Sequence, residues 1–64
     1  MFGANVRRER TAKRLTQEKL AERAEISTRN LQKVEAGELN ILLTTIVRIQ
    51  LGLRCSWSKL MPSQ

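Results

Sequence analysis

Sixty-four residues make one small domain, spanning 1–64, with little room for a catalytic cleft; a chain of this length buries only ~60% of the surface it exposes when unfolded. Hydrophobic residues are 41% and charged residues 28% of the chain, the balance of a folded globule, but only Phe2 and Trp57 are aromatic, so the core must be aliphatic. A net charge of +6 points to a polyanionic partner, while the lack of histidine and the single Cys55 rule out an internal disulfide and leave no ligand set for zinc.

No apolar run approaches the ~18 residues of a membrane span, and the N-terminus lacks the apolar segment of a signal peptide. A cytoplasmic, non-enzymatic protein with no cofactor and no metal is expected. Without histidine, paired acids in a cleft or a glycine-rich phosphate loop, catalytic chemistry has no constellation to rest on.

In chain order, Phe2 and Val6 stand four apart and predict a first helix from about Gly3 to Lys13 with one narrow apolar stripe. Arg7, Arg8, Arg10, Lys13 and Arg14 cover its other faces: five of the twelve basic residues within eight positions. They read either as a solvated face or as phosphate contacts. Leu15 then anchors the chain and Thr16 can cap a second helix.

From Gln17 to Glu35 the apolar positions change register. Leu20, Ala21 and Ala24 share one helical face, Ile26 stands alone, and Leu31 and Val34 share another. Two short helices follow, joined by a turn too short to be a flexible linker and anchored by Ile26. Ser27 can cap the second of them. A small side chain at Ala21 lets the two helices cross closely, which is the packing signature of a helix-turn-helix.

Gly37 is placed to end that helix with positive φ. Leu43, Ile46, Ile49 and Leu53 recur at three or four and predict a helix against the core, with Asn40, Thr44 or Thr45 as alternative caps and Gly52 and Arg54 in the turn that ends it. Cys55 reads as a small core residue. Ser56 can cap a short last helix in which Leu60 points inward, Pro62 stops extension, and the tail 62–64 is expected to be loose. The whole is an all-α, compact bundle of about five short helices.

Once Leu31 and Val34 are committed inward, Thr28, Arg29, Gln32 and Lys33 remain on the outer face of the second motif helix as candidate base readers. The planar guanidinium of Arg29 can donate twice to guanine O6 and N7, and Gln32 can pair with adenine. Gln17, at the start of the first motif helix, meets the positive end of the dipole and free N–H groups that favour a phosphate.

The fragments FGANVRRER, LTQEKLAERA and ISTRNLQKVEAG, with the run from Leu43 to Leu60, resemble the phage-repressor-like, or Xre-type, helix-turn-helix family; TQEKLA and VEAG are the strongest pieces. The resemblance implies a lambda-repressor-like fold and a sequence-specific transcription regulator on double-stranded DNA, similar to small controller proteins. It places the readers first at Thr28 and Arg29, and a phosphate contact at Gln17. The basic and polar positions Arg10, Arg14, Ser27 and Asn40 complete the phosphate set, and the resemblance also pairs Arg10 with Glu35. Three residues depart from the family pattern. Glu25 and Arg14 stand where glycines are frequent, and Glu9 stands where an apolar residue is common.

One such domain covers a half-site, so a two-fold dimer on a pseudo-palindromic operator is expected. Leu42, Val47, Leu51 and Trp57 are apolar at places the core stripe does not need and form the candidate dimer surface. A regulator of this kind has RNA polymerase as a candidate further partner; the alternative reading is an antitoxin-type interaction module with autoregulatory DNA binding, whose partner is a toxin-like protein.

Overall fold

The computed structural model describes residues 2–38 and 41–61. The candidate phosphate contact Asn40 and the tail 62–64 lie outside the described residues. Five helices and no strands occur among them: α1 (Phe2–Ala12), α2 (Gln17–Ala24), α3 (Thr28–Glu35), α4 (Leu43–Leu53) and α5 (Trp57–Leu60).

The helix ends are written in local chemistry. Thr16 Oγ1 accepts from the Lys19 N–H at 3.0 Å, and Ser27 Oγ accepts from the Asn30 N–H at 3.1 Å, so both motif helices start on side-chain caps. Three ends then share one device. At α1, Leu15 N donates to Arg10 O and Arg14 N to Thr11 O; at α2, Ile26 N donates to Ala21 O and Glu25 N to Glu22 O; at α3, Glu38 N donates to Lys33 O and Gly37 N to Val34 O. These paired bonds define Schellman motifs, each needing one left-handed residue. Arg14 (φ 58°), Glu25 (φ 56°) and Gly37 (φ 87°) supply it. The apolar residue after the first two, Leu15 or Ile26, packs back on the core.

Among the described residues ten side chains form that core: Val6, Leu20, Ala21, Ala24, Leu31, Val34, Ile49, Leu53, Cys55 and Leu60. None is aromatic, and Phe2 packs only at its margin. Two glycines allow helices to approach closely. A Cβ on Gly3 would collide with the Val34 carbonyl oxygen, so α1 can press on the end of α3 only because that side chain is missing. A Cβ on Gly52 would lie 3.2 Å from Ala24 N and 3.3 Å from Leu20 Cδ1, bringing α4 directly onto the backbone of α2.

The C-terminal half departs from several of the expectations above. Gly52 is a buried residue inside α4, not part of the turn; Arg54 alone caps the helix, in the left-handed region at φ 54°. Leu43 is 74% exposed and outside the core. The buried positions of α4 are Ile49, Gly52 and Leu53, all in its C-terminal half. At 1.5 Å per residue α4 is roughly 4 Å longer than α2, the element it packs on, and its first turn carries no buried residue. Neither Thr44 nor Thr45 caps α4: Leu42 is the N-cap and offers no side-chain acceptor. Ser56 is the N-cap of α5, as its position predicts, but makes no side-chain cap hydrogen bond; its Oγ lies 2.9 Å from Ser58 Oγ.

The last helix is held from α1. Asn5 Nδ2 donates to Leu60 O at 2.8 Å and Arg8 Nη2 to Lys59 O at 2.7 Å, satisfying carbonyls that a four-residue helix leaves open.

Candidate nucleic-acid interface

The outer face of α3 is polar and open. Arg29, Gln32 and Lys33 are exposed and Thr28 is half-buried, while Leu31 and Val34 on the same helix are sealed in the core. The left-handed turn at Glu25 and the buried Leu20, Ala21 and Ala24 fix this presentation. The second helix therefore offers one face to the core and the other outward.

Beneath it lies a hydrogen-bonded chain linking three helices. Arg10 Nε donates to Glu35 Oε2 at 2.6 Å, Arg10 Nη2 to Glu35 Oε1 at 3.1 Å, and Arg10 Nη1 to Leu15 O at 2.8 Å. Gln17 Nε2 donates to the same Glu35 Oε1 at 3.1 Å, and Gln32 Nε2 donates to Gln17 Oε1 at 3.4 Å. The start of α2 and the exposed face of α3 thus share one anchor. A cleft of about 290 Å³ opens above it, lined by Arg7, Gln17, Gln32 and Ala36 with the Arg10–Glu35 pair as floor.

Arg10, expected both as a phosphate contact and as the partner of Glu35, faces inward to the pair. Its guanidinium is spent on Glu35 and on the carbonyl of Leu15, and its side chain is 12% exposed. Arg8 is likewise engaged, with Lys59 O, Asn5 Oδ1 and Glu9 Oε2. Arg7, Lys13 and Arg14 remain exposed, and none has a carboxylate within ion-pair distance among the described residues. Arg7 was legible only as one cation of five; its place beside Gln17 and Gln32 depends on how α1 crosses the motif.

Ser27 keeps its hydroxyl proton available, since its oxygen acts as the cap acceptor. Leu42, Val47, Leu51 and Trp57 are exposed, at 72%, 39%, 64% and 39%. Leu43 joins Val47 and Leu51 on one side of α4 by its spacing of four. Among the described residues no group of His, Cys, Asp and Glu could hold a metal ion, and no helix is long and apolar enough to cross a membrane.

A capped helix, a left-handed turn and a second helix with a free polar face define a helix-turn-helix domain of the DNA-binding class. Residues 6–60 match the helix-turn-helix family model, and the chain belongs to that family, of the Xre and lambda-repressor-like type. Membership identifies it as a DNA-binding transcription regulator. No curated protein and no solved structure shows significant similarity to the chain.

Proposed function

We propose that the protein occupies a pseudo-palindromic operator as a homodimer, each subunit laying α3 in the major groove. Thr28, Arg29, Gln32 and Lys33 read base edges. Gln17, Arg14 and Ser27 hold phosphates, Arg7 joins them in place of Arg10, and Asn40 keeps that role from its sequence position. The observation that carries this reading is the outward polar face of α3, anchored through Gln32, Gln17 and Glu35 to the core. Leu42, Val47, Leu51 and Trp57 supply apolar surface for a two-fold contact, because that much exposed apolar area on so small a domain is unfavourable against solvent.

A second reading, an antitoxin-type module whose apolar face meets a foreign chain, is favoured by the same exposed residues. Selection of bound duplexes from a random pool tests the first. A palindromic consensus with half-sites roughly one helical turn, ~34 Å, apart is the expected result. Recovery of no consensus from a folded protein would overturn sequence-specific reading, and a single asymmetric site bound by one chain would overturn the dimer.

A further inference from the structure

Glu25 is the hinge of the motif, and it sits in the left-handed region at φ 56°, ψ 42°, where a side chain is disfavoured. Its N–H is taken by the end of α2, through Ala21 O and Glu22 O. Its carbonyl is held from outside the motif: Arg48 Nη1, on α4, donates to Glu25 O at 3.1 Å. A guanidinium at the C-terminus of α2 also faces the negative end of that helix's dipole. On the same helix as Arg48, Gly52 is pressed against Ala24 N. Two contacts from α4, one steric and one polar, therefore bear on the last turn of α2, where the chain swings into α3.

We propose that Arg48 is a positioning residue for DNA reading: from α4 it pins the carbonyl of the strained turn residue Glu25 and so sets the angle at which α3 is presented. The inference rests on α3 being the reading helix. Arg48 touches no base and no phosphate in this role; it narrows the range of poses of a turn that a glycine would form without strain.

The test compares wild type, Arg48→Met, Arg48→Lys and the double variant Arg48→Met with Glu25→Gly, each at a temperature where circular dichroism shows it folded. The probes are the tightest duplex from the random-pool selection and a scrambled duplex of equal length. Arg48→Met is expected to weaken the selected duplex about three- to tenfold, the worth of one hydrogen bond, with scrambled-duplex affinity and salt slope unchanged. Arg48→Lys, which keeps a donor, recovers part of the loss, and Glu25→Gly in the Met background recovers none of it, because glycine widens the range of poses that Arg48 narrows.

Equal weakening on both duplexes with a salt slope smaller by about 0.9 would make Arg48 a phosphate contact and overturn the proposal. So would unchanged affinity of Arg48→Met with only a lower melting temperature, which is the signature of a plain helix cap. If Arg48→Met does not fold, failure of Arg48→Lys to discriminate less well than wild type overturns it equally. Loss of discrimination in every protein, wild type included, would instead count against α3 as the reader.

Discussion

Arg10 and Glu35, twenty-five residues apart, meet in a two-pronged ion pair whose side chains are 12% and 5% exposed. The pair joins α1 to the last turn of α3, and Gln17 shares its carboxylate. It is therefore both a structural lock and the floor of the cleft lined by Arg7, Gln17, Gln32 and Ala36.

Breaking that lock from one side strands a buried charge. Arg10→Met should destabilise the fold by about 3–5 kcal/mol, a large share of what a small domain has. Arg10→Met combined with Glu35→Leu should recover much of it, because the unpaired carboxylate is then gone. Urea unfolding of the three proteins measures this; a double variant no more stable than Arg10→Met would show that the packing of Arg10, not its charge, matters.

Gly3→Ala sets two effects against each other. Alanine gains ~1 kcal/mol of helix propensity, but its Cβ meets a backbone carbonyl that cannot rotate away. Overpacking should win, with a net loss of about 1–2 kcal/mol as α1 is pushed off α3. A melting temperature equal to or above wild type would mean that α1 shifts freely at its N-terminus.

Arg54 caps α4 in the left-handed region and has no ion-pair partner among the described residues. Glycine would relieve about 1–2 kcal/mol of backbone strain and lose about 0.4–1 kcal/mol through the unfolded chain's extra freedom. Arg54→Gly should thus raise stability slightly, by roughly 0.5–1 kcal/mol. Thermal unfolding decides the sign.

Arg29→Ala should lower affinity for the selected duplex by about 1–3 kcal/mol while leaving binding to random DNA nearly unchanged. Equal loss on both would remove Arg29 from the readers. Raising salt should weaken wild-type binding steeply, since each phosphate contact releases counterions; a flat titration would argue against the basic face as a DNA surface.

Burial, reinforced by the Glu9 carboxylate, raises the Cys55 thiol above its ordinary value of 9.0, against smaller opposing effects of Lys13 and Lys59. The folded chain holds this proton more tightly than the unfolded one. Its contribution is therefore intact below pH 9.0 and declines as pH rises from there through the folded value. The stability difference between wild type and Cys55→Ala, measured by denaturation across that range, should shrink at alkaline pH. A constant difference would show that the thiol reaches solvent when ionised.

The order and kind of the elements were legible because they rest on local chemistry. Thr16 and Ser27 cap where they stand, Leu15 and Ile26 follow the left-handed residues that end α1 and α2, and the apolar spacing from Leu20 to Val34 has only one helical solution. What remained hidden was every property that depends on which surface a helix meets. Leu43 fits the stripe of α4, yet it sits in a first turn that buries nothing; Gly52 reads as a helix breaker, yet it is the point where α4 touches the backbone of α2. Arg8 and Arg10 look like their basic neighbours, and only the crossing of α1 over α3 and α5 engages Arg8 with Lys59 O at the surface and buries Arg10 against Glu35, while leaving Arg7 facing the cleft. Periodicity and capping act within a few residues of chain, so the sequence alone determined the helices, whereas close approach and charge pairing act between distant segments and were decided by the tertiary structure.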